Sequence, residues 1–122
     1  ALNGDLSADG VGEYDGGNNS AMGGGSGGSV WLTTSSLTGS GTITTDGGPG
    51  GLTYANGSGG GGGRISVVLT GSDSFGSVTM TATGGISLAA SEEGAAGTIH
   101  KQTQPQGGGI VIVSYPFVFS PG

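Results

Sequence analysis

Hydrophobic residues in this sequence occur in short, β-branched bursts that are separated by glycine-rich stretches. Within one burst, Ile65, Val67 and Leu69 occupy alternate positions, and alternate residues of a β-strand share one face of the sheet. Bursts of this kind, bounded by glycine, predict buried strands between tight turns. The clearest bursts lie at residues 29–32, 65–69 and 110–113.

Two families of similar segments alternate along the chain. Members of the first family recur at about 35 residues and members of the second at about 37, a period in the range of stacked structural repeats. Each repeat therefore holds one strand of each family and one glycine-rich loop, and the loops are residues 10–28, 47–63 and 84–97. The first family begins at Gly28, Gly63 and Gly97, and the second at Leu6, Ile43 and Met80.

The repeat predicts an all-β fold, namely a glycine-rich β-solenoid similar to a parallel β-helix, with about three repeats and an extra C-terminal hydrophobic strand. We assign residues 1–106 to the repeats and residues 107–122 to the C-terminal tail. Glycine suits the loops because it adopts positive φ freely and lets backbones approach closely. Leu37 and Phe75 occupy comparable positions between the strand families, where a large side chain would fill the interior of the coil.

Four runs of the repeat have a recognisable composition. They are Gly-Gly-Ser-Val-Trp-Leu at 27–32, Leu-Thr-Gly-Ser-Gly-Thr-Ile-Thr at 37–44, Gly-Gly-Gly-Arg-Ile-Ser-Val at 61–67 and Ala-Gly-Thr-Ile at 96–99. These runs resemble the glycine-rich repeats of large secreted or surface-displayed bacterial proteins, and the resemblance covers most of residues 5–104. It implies a right-handed parallel β-helix and a role in adhesion or extracellular architecture.

The composition argues against two classes of partner. The net charge is −6 and the only basic side chains are Arg64 and Lys101, which are too few to neutralise a nucleic-acid backbone. The longest apolar stretch, residues 110–119, is about half the length of a membrane-spanning helix, so we expect no membrane span. Cysteine is absent, so neither a disulfide nor a thiolate-bound metal holds the fold.

An extracellular or cell-surface location follows from the resemblance. The chain begins at Ala1 rather than at methionine, which favours a processed product or a portion of a longer polypeptide. In such a location a covalent glycan is a further expectation, since Asn18 and Asn56 both begin N-glycosylation sequons within predicted loops.

No set of residues predicts catalysis, and we expect neither an enzyme nor a cofactor. His100 is the only histidine, and a general base needs an orienting partner that the sequence does not place beside it. Glu92 and Glu93 are adjacent, so an extended backbone would point them to opposite sides. The Gly-Gly-Ser-Gly-Gly run at 24–28 matches the nucleophile-elbow pattern, but a chain with 32 glycines produces such a match by chance.

Half of the acidic residues lie near the N-terminus, where they are weak candidates for a calcium site. Oxygen-rich loops can hold Ca²⁺, although Asp beside Gly is also typical of solvated turns. The candidates are Asp5, Asp9, Glu13 and Asp15.

Threonine rows leave a second alternative open, because regular threonine ladders are typical of ice-binding solenoids. The simpler interpretation is that threonine suits a half-exposed strand. The rows are Thr42, Thr44 and Thr45, and then Thr79, Thr81 and Thr83.

The C-terminal tail is the most hydrophobic part of the chain and lies outside the repeat. Its residues have high β-propensity, and a short solenoid needs cover for the strand edges at its ends. The tail either folds back and caps its own solenoid or adds a strand to a neighbouring subunit. The predicted assembly residues are Ile110, Val111, Ile112, Val113, Tyr115, Phe117 and Phe119.

These observations favour a non-enzymatic extracellular structural protein that forms a head-to-tail homopolymer, as the subunit of a self-assembling filament or surface fibre. The alternative is a glycan- or surface-binding adhesin module of a larger bacterial surface protein. Tyr14, Tyr54 and Trp31 are the candidate aromatic platforms for that alternative. Trp31 falls in a predicted strand, where we expect it to pack against the core.

Overall fold

The chain folds into short strands joined by glycine-rich segments. The computed structural model describes residues 1–12, 22–51, 57–87 and 92–103, together with the backbone of 109–113. Over these residues the fold is all-β, as the sequence predicts. The strands are β1 (Asp5–Ser7), β2 (Ser29–Thr34), β3 (Thr42–Thr44), β4 (Arg64–Leu69), β5 (Thr79–Thr81), β6 (Thr98–Thr103) and β7 (Gly109–Val113).

The described strands form two sheets that follow the two predicted strand families. One sheet has the order β1-β3-β5 and the other β2-β4-β6-β7, and all pairs are parallel except β6 with β7. In the first sheet Leu6 lies beside Ile43, which lies beside Met80. In the second, Val30 lies beside Ile65. Each step between parallel strands is one repeat of the sequence, which confirms the periodicity.

Side chains from both sheets meet in the hydrophobic core. The alternation in β4 is confirmed, because Ile65, Val67 and Leu69 are all buried. Leu37 is also buried, and Phe75 is partly buried and packs against the core, in agreement with their predicted places inside the repeat. The remaining buried hydrophobic residues of the core are Ile43, Val78, Ala82 and Ile99.

The glycine-rich segments, predicted as loops, are hydrogen-bonded to one another. The N–H of Gly48 donates to the carbonyl of Gly25 at 2.8 Å, and that of Gly60 donates to the carbonyl of Gly48 at 2.9 Å. The relay continues from Gly85 to Gly60 at 2.7 Å and from Gly94 to Gly85 at 2.9 Å. We call the bonded segments the glycine network, which comprises residues 10–11, 22–28, 46–51, 57–63, 83–86 and 92–97.

Close approach of backbones, rather than turn conformation, is what requires glycine in this network. Among the described glycines, positive φ occurs only at Gly39 (106°) and Gly76 (63°), and both lie outside the network. At Gly60, a Cβ would overlap the carbonyl oxygen of Gly25, which belongs to the backbone, so one of the two segments would have to shift. The network therefore depends on the close approach of backbones that glycine permits, and not on the freedom of glycine to adopt positive φ.

The described part of the C-terminal tail joins the four-stranded sheet. Strand β7 runs antiparallel to β6, with Ile112 beside Ile99 and Ile110 beside Lys101. Because β7 follows β6 and reverses direction, it ends the parallel order of that sheet. Within the described chain, β7 therefore forms one edge of the sheet and β2 forms the other.

Candidate functional site

Among the described residues, the first repeat lies at one end of both sheets. Strands β1 and β2 both belong to this repeat, and each is the outermost strand of its sheet. No strand of the described residues pairs with the outer edge of either. Two rows of backbone donors and acceptors are therefore presented at the same end.

The hydrophobic core also reaches the surface at this end. Leu6 occupies the same inward position in β1 that Ile43 occupies in β3, yet Leu6 is 41% exposed and Ile43 is 0% exposed. Ile43 has a strand on each side, whereas Leu6 has one on a single side. A groove of about 210 Å³ opens here, lined by Ala1, Leu2, Leu6, Leu32, Thr34, Ser36 and Leu37. We call this groove, together with the edges of β1 and β2, the open end.

Two of the predicted calcium ligands, Asp5 in β1 and Asp9 two residues beyond it, hold the next repeat. The Oδ2 of Asp9 accepts hydrogen bonds from the hydroxyls of Ser7 at 2.7 Å and Thr44 at 2.8 Å. Its Oδ1 accepts the N–H of Asp46 at 2.7 Å. The hydroxyl of Thr42 donates to Oδ1 of Asp5. No group of three metal-ligating side chains occurs among the residues that the structure describes.

These contacts account for the electrostatics of Asp9. Desolvation by itself raises the pKa of Asp9, but the hydrogen bonds from Ser7, Asp46 and Thr44 outweigh it. Together they hold the pKa of Asp9 below its ordinary value, because they stabilise the charged form.

Asp46 repeats this arrangement one repeat later. Its Oδ2 accepts the hydroxyl of Thr81 at 2.9 Å, and its Oδ1 accepts the N–H of Thr83 at 2.6 Å. Each carboxylate therefore joins its own repeat to the next, and we call the contacts of Asp9 and Asp46 the carboxylate clamps. Sequence reasoning missed them, although the Asp-Gly pairs at 9–10 and 46–47 recur with the repeat.

Some of the threonines in the predicted rows lie beside one another in the sheet, but not all of them are exposed. Thr42 lies beside Thr79 and Thr44 beside Thr81 in the sheet. Thr45, however, is fully buried, so its placement in an exposed row was wrong. It falls on the inward side of the chain, one residue beyond β3.

Trp31 lies on the outer face of the four-stranded sheet, and the expectation that it packs against the core was wrong. Its side chain is 82% exposed, because the alternation in β2 turns Val30 and Leu32 toward the core instead. A groove of about 360 Å³ lies beside it, lined by Ser29, Val30, Trp31, Arg64 and Ser66.

His100 and Lys101 are neighbours in β6 but have different surroundings. His100 is beside Ser66 in the register of β4 and β6, with no acidic cluster in the described residues around it. The ammonium of Lys101 lies 5.4 Å from the centre of the Phe75 ring, in a cation–π contact.

The predicted assembly residues divide into two groups. Ile110, Val111, Ile112 and Val113 lie in β7, which pairs with β6 of the same chain, and their role in assembly stays a prediction. The other predicted site residues lie outside the described part of the chain, and these are Glu13, Tyr14, Asp15, Asn18, Tyr54, Asn56, Tyr115, Phe117 and Phe119.

Across the described residues, no helix has the length and hydrophobicity needed to cross a membrane. No protein-family model, no curated protein and no solved structure matches this chain.

Proposed function

We propose that this protein is a non-enzymatic extracellular structural protein, the subunit of a filament or surface fibre that grows by end-to-end stacking. In this proposal the two sheets are faces of a short β-solenoid of about three coils, like those of the bacterial surface proteins that its sequence resembles. The parallel registers across both sheets support it, as does the glycine network that links the repeats between the strands.

The observation that carries the proposal is the difference in exposure between Leu6 and Ile43. These residues are equivalent in the sheet, and Leu6 is exposed because no strand of the described residues lies on its outer side. An apolar groove beside two unpaired strand edges favours association, since covering it buries apolar surface and satisfies backbone groups together.

A second copy of the same chain is the occupant that we propose for the open end. A further layer must supply a strand for each sheet and an inward apolar residue at the repeat's spacing. The opposite end of the molecule offers these elements, because β5 with Met80 forms the far edge of one sheet and β7 the far edge of the other. Such a contact joins unlike surfaces, and it extends into a filament unless the rotation between copies closes a ring.

The assembly role predicted for the tail takes a specific form in this proposal. Residues Ile110, Val111, Ile112 and Val113 pair with β6 through one edge of β7. The second edge of β7 then meets β2 of the next copy, which is a form of β-augmentation.

Leu6→Lys tests the proposal, because a charge in the groove opposes burial while its aliphatic stem still covers the core. Electron microscopy and sedimentation over a range of concentrations should show filaments for the unaltered protein and monomers for the variant. Thr70→Lys is the matched control, since Thr70 is exposed at the end of the central strand β4. This control should assemble normally.

Circular dichroism would establish that both variants keep their β-structure. Filaments that form equally well with Leu6→Lys would exclude the open end as the joint. A protein that stays monomeric at every concentration would exclude the filament itself.

A further inference from the structure

The groove beside Trp31 involves strand β2, as the open end does, but shares no lining residue with the leucine groove there. It opens on the outer face of β2 and β4, whereas the groove of the open end is lined mainly by inward-facing leucines. We propose that the Trp31 groove binds an acidic saccharide, with the sugar ring stacked on the indole and its carboxylate paired with Arg64.

The indole of Trp31 supplies an apolar platform. At 82% exposure it is the most exposed of the large hydrophobic side chains in the described residues. Aromatic rings contribute large contact areas at low cost in conformational entropy. The flat face of an indole matches the C–H face of a pyranose ring, which is apolar although the rim of the sugar is hydroxylated.

Arg64 sets the sign of the ligand's charge. It lies on β4 beside Ser29 of β2 and is exposed, and its guanidinium has no ion-pair partner in the described part of the chain. A guanidinium binds a carboxylate through two parallel hydrogen bonds. Lys101, the other basic residue of the chain, is engaged over the Phe75 ring.

The overall charge narrows the ligand further. The protein has a net charge of −6, and the groove holds one cation, which is enough to pair with one carboxylate but too few to neutralise a nucleic-acid backbone. The same cation disfavours the quaternary amines that exposed tryptophans otherwise bind. A ring with a C–H face and one carboxylate satisfies both conditions, and a uronic or sialic acid residue has that structure.

The volume of the groove and the two serines that line it suit a single sugar unit. A volume of about 360 Å³ is near the lower end for small-molecule sites. The hydroxyls of Ser29 and Ser66 line the same groove and can donate to or accept from sugar hydroxyls. The groove is open to solvent, so the neighbouring units of a polysaccharide have room to continue past it.

Fluorescence titration tests the proposal directly, because Trp31 is the only tryptophan of the chain. The probes are trigalacturonate, a hyaluronan tetrasaccharide and sialyllactose, each compared with its uncharged methyl ester. At least one acid should change the emission saturably and bind about tenfold or more tightly than its ester, since the ester forms no charge-assisted pair with Arg64.

Two variants assign the roles of the side chains, with affinities measured by calorimetry. Arg64→Gln should bind the acid and its ester equally, and Trp31→Ala should bind neither. Lys101→Gln is the matched control, because it removes the other basic residue and should leave the affinity unchanged. Circular dichroism would verify that each variant is folded.

Three outcomes would overturn the proposal: no saturable change with any of the acids, equal affinity for acid and ester, or undiminished binding by Arg64→Gln. The Leu6→Lys variant should bind the acid as tightly as the unaltered protein does. Failure of assembly and failure of saccharide binding are therefore separate results.

Discussion

Thr45 is a polar residue that lies inside the hydrophobic core. It is fully buried, and its hydroxyl oxygen has no hydrogen-bond partner in the described structure. One repeat later the equivalent position is Ala82, which is also fully buried and carries no hydroxyl. Burying an unpaired hydroxyl costs about 1–3 kcal/mol, so the hydrophobic repeat tolerates this threonine rather than requiring it.

Thr45→Val should therefore stabilise the protein. The substitution keeps the shape of the side chain and removes the unpaired hydroxyl, so the free energy of unfolding should rise by about 1 kcal/mol. Urea denaturation measures the change. Thr44→Val is the control, and it should destabilise the protein because the Thr44 hydroxyl donates to Asp9. Destabilisation by Thr45→Val would mean that the buried hydroxyl has a partner after all.

The clamp at Asp9 predicts a loss of stability in acid. Its pKa is lower in the folded protein than in the unfolded chain, where an Asp has a pKa of about 3.9. The stabilisation is therefore complete above that value, and it is lost as the pH falls through the lower pKa of the folded state. Asp9→Asn should be less stable than the unaltered protein at pH 7, and the difference should shrink toward pH 2.

Urea midpoints measured across that range would test the clamp. Asp73→Asn is a suitable control, because Asp73 is exposed in the segment between β4 and β5 and should show no such difference. A constant gap between the Asp9→Asn variant and the unaltered protein at all pH values would show that charge on Asp9 is not responsible.

Among the elements, the glycine network is the one in which the smallest substitution has the largest expected effect. In Gly60→Ala the new Cβ would overlap the carbonyl oxygen of Gly25, so one backbone segment must move. We expect a loss of about 3 kcal/mol or more in the free energy of unfolding, comparable to overpacking a core.

The adjacent residue provides a matched control for this prediction. At Gly61 the nearest atom to a new Cβ is the carbonyl oxygen of Ala95 at 3.9 Å, an ordinary contact. Gly61→Ala should therefore be neutral or stabilise the protein by about 0.4–1 kcal/mol, because alanine restricts the unfolded chain. Similar losses from both substitutions, measured by urea denaturation, would contradict the role of close approach.

The sheets were predictable from the sequence because the strands repeat along the chain as a repeat of apolar side chains. Leu6, Ile43 and Met80 recur with the repeat, and they occupy equivalent places in the sheet. The glycine network was not predictable in the same way. A glycine that allows a turn and a glycine that allows two backbones to touch have the same side chain, so composition alone indicated loops.

The candidate sites were less predictable than the sheets. In β2, Val30, Trp31 and Leu32 are consecutive and all apolar, so the pattern did not indicate which of them faces outward. The clamps were missed because an Asp before a glycine is typical of any turn. Only the register, which brings Asp9 to Thr44 and Asp46, distinguishes a clamp from a solvated turn.

At the scale of the whole molecule, the two ends differ, and this difference gives the proposed assembly a direction. At one end lie the outer edges of β1 and β2, each of which runs parallel to its neighbour in its own sheet. At the other end lie β5 and β7, and β7 runs antiparallel to its neighbour. Copies with a net charge of −6 repel one another at long range, and salt reduces that repulsion. The short-range contacts proposed for the open end would therefore have to outweigh this repulsion between copies.

The glycine network also has a consequence for how such a protein can diverge. In most folds the stretches between strands accept substitutions readily while the core resists them. Here the order is reversed at residues such as Gly24, Gly48, Gly60, Gly85 and Gly94, where any side chain meets backbone. Related proteins with this architecture would then share the spacing of their glycines, while the residues on the outer faces of their strands differ. Sequence comparison ordinarily discounts such glycine-rich stretches as low in complexity.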